Sequence, residues 1–412
     1  MRLVQDLLDR LAEIGADPPG ITREAFGAGE NAAMALMAET ARGLGLECGV
    51  DAGANLTMRW VGSDPSAAPV LVGSHLDSVV HGGNFDGAAG VVAGLAAIAA
   101  LRAEGFRPRA TIEVLALRCE EAVWFGLGLI GSRSLLGRLP KGALDLPHAR
   151  GGRNLRDCIA GCGGDPGALG RPLRDPRRIG AYVEVHIEQA PQLIEAGQPV
   201  ALCLANPGNV RHPHIRITGE DAHTGLPHRF RHDAALAGAE LALALERLWL
   251  DEEAGRRPMA VTIGRFHTLV ERHAMTVVPG AFEMSLDLRA YEPAHLAALE
   301  AKLHGLVGAV AARRGVAIDL GPRSAAAPGV MDAAILEELA AAAARQRGLA
   351  PPRLNSPGSH DANNFAAAGV PTGMLLIRNR NGSHNPDEAM ETDDLLAGIG
   401  LLTLWLAGRA GH

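Results

Sequence analysis

No part of this 412-residue chain runs to the roughly eighteen uninterrupted apolar residues that a membrane-spanning helix needs, so a membrane partner is not expected. Basic charge is short as well. With 39 Lys and Arg against 46 Asp and Glu, the net charge is -7, and there is no basic field to hold a phosphate backbone, which argues against nucleic acid. The run Met1-Arg2-Leu3-Val4-Gln5-Asp6 acquires charge too early for a secretory signal, and a cytoplasmic address is expected. Cysteine is scarce, with 5 residues and no Cys-x-x-Cys pair. That speaks against a disulfide framework or a thiolate zinc site, and Cys48, Cys119, Cys158, Cys162 and Cys203 read as reduced thiols. Apart from abundant alanine there is no low-complexity tract, and no internal repeat.

What is present is an ordinary globular composition, 47% hydrophobic and 21% charged, at a length that suggests two or three domains. The stretch Gly73-Ser74-His75-Leu76-Asp77-Ser78, continued by Gly82-Gly83-Asn84-Phe85-Asp86-Gly87, places an imidazole and two carboxylates on one glycine-rich connection. A short β-favouring run precedes it and a small-residue helical run follows, so it sits where a buried strand hands over to a helix, the edge at which open α/β sheets bind ligands. His75 and Asp86 are candidate metal ligands, and Asp77 is placed to hold the second nitrogen of the His75 ring. Alone, the stretch reads equally as a polar loop that caps a strand.

Three strand-like runs end in acids or imidazoles: Val70-Leu71-Val72 into His75, Thr111 to Leu117 into Glu120-Glu121, and Tyr182 to Val185 into His186. Helical stretches lie between them (Val91 to Glu104, Ser132 to Leu139), so the strands can be parallel and their C-terminal ends can converge. Composition shifts near Asn206-Pro207-Gly208. From there the order is strand His214 to Thr218, helix Asp233 to Leu250, strands Ala260 to Phe266 and Ala281 to Arg289, helix Pro293 to Arg314 and strand Val316 to Leu320, a βαββαβ, ferredoxin-like sequence. An alanine-rich helix from Met331 to Arg347, a polar loop at Asn355 to Asp361, a strand at Thr372 to Ile377 and a final helix from Thr392 return the chain to the first domain.

Adjacent glutamates at the end of a buried strand are costly unless a positive charge balances them, and a divalent metal is the simplest balance. His75, Asp86, Glu121, His186 and His384 supply enough ligands for two ions sharing Asp86. Their mixed nitrogen and oxygen character suits zinc first, with manganese, cobalt or nickel as alternatives, rather than calcium.

The blocks His75-Leu76-Asp77, Gly82-Gly83-Asn84-Phe85-Asp86-Gly87, Glu120-Glu121, His186-Ile187-Glu188-Gln189, Ala222-His223-Thr224-Gly225, Arg231-His232-Asp233-Ala234 and Ser383-His384-Asn385-Pro386, in this order, resemble the amidase/carbamoylase branch of the M20 metallopeptidase family. That branch holds N-carbamoyl-L-amino acid hydrolases, β-ureidopropionases, and allantoate and ureidoglycolate amidohydrolases. The resemblance implies an α/β fold: a metallopeptidase-like catalytic domain with a mixed, mostly parallel sheet (1–209 and 325–412) and an inserted ferredoxin-like α+β lid or dimerisation domain (210–324). It implies that His75, Asp86, Glu121, His186 and His384 hold two divalent ions, that Glu120 is the general base for the attacking water, and that Asp77 orients the site. Gln189 and Arg289 match positions that meet substrate, and His223 matches a histidine that stabilises the oxyanion in the partner subunit's site, so a homodimer is implied. The expected reaction is hydrolysis of a linear carbamoyl or amide C–N bond of a small carboxylate.

The chain departs from the family pattern at Trp124-Phe125, Thr276, His228 and Pro357-Gly358-Ser359-His360-Asp361. Thr276, His228, Ser359 and His360 are therefore read as substrate-facing positions that differ from the standard ureido enzymes. The alternative activity is hydrolysis of N-acyl amino acids or another non-standard amide, and the alternative class is a catalytically silent metal- or ligand-binding relative. Histidines outside these blocks, among them His148, His212 and His273, read as surface or lid residues.

Overall fold

The computed structural model describes residues 1–272, 274–346 and 348–411; His273, and Arg347 at the expected end of the alanine-rich helix, lie outside the described residues. The chain divides into two compact units, residues 1–206 with 329–412, and residues 207–328.

The first unit is built on an eight-stranded sheet in the order Arg353–Leu354, Val200–Cys203, Thr372–Ile377, Ala181–Ile187, Val70–His75, Ile112–Leu117, Leu56–Trp60, Glu47–Val50. The four strands from Thr372–Ile377 to Ile112–Leu117 run parallel to one another. Strands covered on both faces read as near-continuous apolar runs, and every residue of these four is buried. The strands expected over 70–72, 111–117, 182–185 and 372–377 are all present, as Val70–His75, Ile112–Leu117, Ala181–Ile187 and Thr372–Ile377, and the α/β class with a mixed, mostly parallel sheet holds. The flanking strands Leu56–Trp60, Glu47–Val50 and Val200–Cys203 were not expected. They pair antiparallel with their inner neighbours, and their short runs carry no strong period.

The helix Ala88–Ala103 lies tight behind the central strands because its contact face is made of small residues. A Cβ on Gly90 would stand 2.0 Å from the Val185 carbonyl oxygen, and one on Gly94 would stand 2.8 Å from Cγ1 of Val114. With the parallel strands side by side, their C-terminal ends emerge at one edge, and the chain leaves that edge through polar loops.

The second unit is an antiparallel sheet in the order Met259–Thr262, Ala281–Ala290, Gly208–Thr218, Ala317–Asp319, with helices Ala234–Ala254 and Pro293–Arg314. Along Ala281–Ala290 the residues Phe282, Met284, Leu286 and Leu288 are buried and alternate with half-buried polar ones, so one face packs on the helices. Asp233 caps the first helix by accepting the Leu236 N–H at 2.9 Å. The single strand expected over Ala260 to Phe266 is two, Met259–Thr262 and Phe266–Thr268. The strand expected from His214 begins at Gly208, with a register shift between His212 and Ile215 where Pro213 offers no N–H to the ladder. His148, in the first unit, and His212, in the second, are buried rather than at the surface. Among the described residues no helix is long and apolar enough to cross a membrane.

Candidate metal centre

Four side chains from four segments of the first unit meet around Asp86. Its Oδ1 lies 3.4 Å from Nε2 of His75 and 3.0 Å from Nε2 of His186. Its Oδ2 lies 3.3 Å from Nε2 of His384, which is in turn 3.2 Å from Oε1 of Glu121. The result is two triads of potential ligand atoms, His75–Asp86–His186 and Asp86–Glu121–His384, sharing one carboxylate. The edge of the parallel sheet positions them. His75 ends one strand, His186 is next to last in another, Glu121 follows the third, and His384 lies in the loop after the fourth.

The residues fit a pair of cations. Nδ1 of His75 is 3.0 Å from the Asp77 carbonyl, and Nδ1 of His186 is 2.9 Å from the Ile187 carbonyl. A carbonyl only accepts, so each Nδ1 carries the proton and each neutral ring presents a bare Nε2. Both Nε2 atoms are buried without a hydrogen-bond partner. Two lone pairs aimed at one carboxylate oxygen repel it unless positive charge lies between, and a divalent cation supplies that charge. Among the described residues no Lys or Arg forms an ion pair with Asp77, Asp86, Glu120 or Glu121; their charged partners are imidazoles. Without such a cation the compensation falls to protons. Hydrogen bonds to Asp86 and Glu121 push His384 up to about 11, and although burial opposes the charged ring, Asp77 and Asp86 hold His75 well above the usual imidazole range.

Glu120 sits beside this cluster, with Oε2 4.0 Å from Nε2 of His75. Burial, then the neighbouring acids Glu121, Asp361 and Asp77, push its carboxyl well above the ordinary value, against the attraction of His75. Asp77 receives the Glu120 N–H on Oδ1 at 3.0 Å and the Glu121 N–H on Oδ2 at 3.1 Å. It reaches His75 mainly through its backbone carbonyl, since its own Oδ1 is 3.4 Å from Nδ1. Asp77 thus ties the His75 strand end to the glutamate pair, beyond the expected grip on the ring.

The loop that carries Asp77 and Asp86 is held from beneath by Arg23, which is wholly buried. Its guanidinium donates to the Leu76 carbonyl at 2.7 Å, to Oδ1 of Asn84 at 3.0 Å and to the Asn84 carbonyl at 3.3 Å. Burial lowers its pKa to about 10, and the nearby acids, Glu388 first, counter the shift. Trp124, one of the departures from the family pattern, donates from its indole to the Ser78 carbonyl at 2.9 Å and stacks on the buried His148 ring.

Gln189 donates from Nε2 to Oδ2 of Asp86 at 2.8 Å, so the expected substrate contact touches the shared carboxylate itself. His360 is buried, with its ring 4.3 Å from that of His186 and Nε2 2.7 Å from Oγ of Ser356; Ser359 beside it is half-buried. Sequence reasoning missed Arg23, Glu184, Glu388 and the hydroxyl of Ser383. Glu184, wholly buried between Ser74 Oγ and the Ala362 N–H, is pushed up to about 7 by burial and by Asp361. An acid two residues before His186 on a buried strand was the signal.

Arg289, His223, His228 and Thr276 belong to the second unit. Arg289 pairs with Asp287, Nη2 to Oδ2 at 2.9 Å. His223, on a two-residue strand paired with Val277–Val278, is exposed and accepts the Gly225 N–H on Nδ1 at 3.1 Å, which leaves the proton on Nε2. His228 and Thr276 are exposed.

The sequence pattern that describes peptidase family M20/M25/M40 matches residues 71–407. The chain is 35% identical over 410 residues to an N-carbamoyl-L-amino acid amidohydrolase of Geobacillus stearothermophilus, covering 98% of this chain and 97% of that protein. It is 30% identical over 410 residues to the allantoate amidohydrolase of Escherichia coli (strain K12), covering 98% and 96%. A crystal structure of a hydantoinase/carbamoylase family amidase from Burkholderia ambifaria superposes with a TM-score of 0.81 at 32% identity, covering 100% of this chain and 97% of that one.

Proposed function

The chain belongs to peptidase family M20/M25/M40, and from that premise we propose that it is a metal-dependent amidohydrolase of the carbamoylase branch that cleaves the linear C–N bond of a small carboxylate, with N-carbamoyl-L-amino acids as the first candidates. The observation that carries this reading is the Asp86 carboxylate, set between His75 and His186 on one oxygen and His384 on the other, with Glu120 alongside.

Two divalent ions, zinc first, would be held by His75, Asp86, Glu121, His186 and His384, and when bound would supply Lewis-acid charge at the scissile carbonyl and make water easier to deprotonate. Glu120, whose Oε2 stands 4.0 Å from Nε2 of His75 beside the two triads, takes the proton of the attacking water and returns it to the leaving nitrogen. Asp77 fixes Glu120 through its backbone N–H, so the base is aimed by the same residue that anchors the His75 strand end. Arg289 holds the substrate carboxylate, in exchange for part of its pairing with Asp287. Nε2–H of His223, Nδ1 being committed to Gly225, donates to the developing oxyanion. We assign the second unit the part of lid and dimerisation domain, with His223 acting in the partner's site.

Purified protein should release ammonia from N-carbamoyl-L-amino acids faster than it deacylates the matching N-acyl compounds. The reverse order would transfer the assignment to the N-acyl class, and no turnover of either by metal-loaded protein would favour a silent relative. Mixing inactive His223→Ala and Glu120→Gln subunits should restore part of the activity; a fully active monomer would remove the trans role.

A further inference from the structure

Glu388 lies outside both triads, yet it touches Asp86 along two separate routes. Oε1 accepts the Phe85 N–H at 2.8 Å and the Asp86 N–H at 3.2 Å. Oε2 is 2.6 Å from Oγ of Ser383, which is itself 2.5 Å from Oδ2 of Asp86. These contacts form a closed ring that begins at the backbone of Asp86 and returns to its side chain. A carboxylate anchored through both its backbone and its side chain is restricted in χ1 and in its turn, which helps a ligand that serves two sites at once.

The fold makes room for this ring. Gly83 faces the Glu388 carboxyl so closely that a Cβ there would meet its carbon and Oε1 at 2.2 Å. Glu388 is buried, and its segment also carries His384, which stands at φ 62 with Ser383 on one side and Asn385, bonded back to the Ser383 carbonyl at 3.1 Å, on the other. One acid therefore links the Phe85–Asp86 turn to the His384 loop, about three hundred residues away in the chain.

We propose that Glu388, acting through Ser383, is a positioning residue that fixes the shared carboxylate of Asp86 and the His384 loop, so that its loss opens the Asp86–Glu121–His384 site before the His75–Asp86–His186 site. The inference rests on the metal-centre reading above. Glutamine at 388 keeps an acceptor for the two N–H groups and offers an amide donor to Ser383, so the ring survives; alanine leaves both N–H groups and the serine without their partner.

The test is zinc titration of metal-stripped protein by calorimetry, with metal content after dialysis as a second readout that needs no activity. Wild type should take up two equivalents. Glu388→Ala should retain one and bind the second about 10- to 100-fold more weakly, Ser383→Ala should weaken the second in the same direction, and Glu388→Gln should lie close to wild type. Should Glu388→Ala fail to fold, the comparison of Ser383→Ala with Glu388→Gln decides alone. Wild-type affinity and stoichiometry in Glu388→Ala, or in Ser383→Ala where that comparison decides, overturn the positioning role while leaving the centre intact. Wild-type protein that takes up no metal overturns the metal-centre reading and this inference with it.

Discussion

The imidazole of His75 lies so close to the backbone of Gly87 that a Cβ on Gly87 would stand 2.4 Å from its Cε1 and Nε2. Gly87 also has φ 65 with ψ -49, a backbone conformation that side chains bearing a Cβ rarely adopt. Gly87→Ala should therefore displace the ring as well as strain the turn. The expected outcome is at least a tenfold loss of metal affinity, measured by calorimetry, together with a lower melting temperature.

Glu120→Gln is expected to keep its metal, because Glu120 belongs to neither triad, and to lose turnover by about 10²- to 10⁴-fold through the loss of proton transfer. Metal analysis beside steady-state kinetics checks both halves. Unchanged kcat in the metal-loaded variant would remove Glu120 as the base.

Stripping the metal should cost stability as well as activity. A ligand that binds only the folded chain stabilises it by about 2.7 kcal/mol at a free concentration of 100 Kd, so scanning calorimetry with and without chelator should show a melting temperature that rises with added zinc. Identical transitions would count against a metal held by these buried imidazoles.

Arg23→Met should be among the more damaging substitutions far from substrate. It removes three hydrogen bonds to the Leu76–Asn84 loop and strands buried acceptors, at a cost of about 3 kcal/mol or more. Denaturant unfolding measures this, and the loss should exceed that of an exposed arginine such as Arg177.

In the second unit, Glu252 is buried among Arg257, Lys302 and His295, with hydrogen bonds from Arg257 and Lys302 lowering its pKa to about 2. A carboxylate depressed on folding stabilises fully above its ordinary pKa near 4.5, and that contribution fades as pH falls through about 2. The stability difference between wild type and Glu252→Gln should thus be largest near neutrality and shrink progressively below about pH 4.5, as equilibrium unfolding at stepped pH would record.

The parts of the centre legible in the sequence were those announced by a change of character. His75, Glu121 and His186 each close or follow a largely apolar strand, and an imidazole or acid there has no reason to exist without a partner. Glu388 had no such announcement. It is one acid in a polar loop, and its meaning depends on the bare backbone of Gly83 and the turn at Phe85–Asp86, which only folding brings to it. Arg23 was silent for the same reason, since its acceptors are mostly backbone carbonyls, which any sequence provides. The antiparallel flanks of the first sheet escaped because strands of four or five residues carry too little period to read. His148 reads as a surface or lid residue because burial by stacking on Trp124 leaves no trace in local composition.

The ligands of the centre are scattered along the chain from His75 to His384, with the whole of residues 207–328 spliced between His186 and the last of them. On the ribosome, the inserted unit is therefore complete while the centre still lacks a side chain, because His384 emerges after it. The strand Thr372–Ile377, which pairs with the strand that carries His186, also follows the insertion, so a product cut before residue 372 lacks part of the sheet as well as His384 and should hold neither ion tightly.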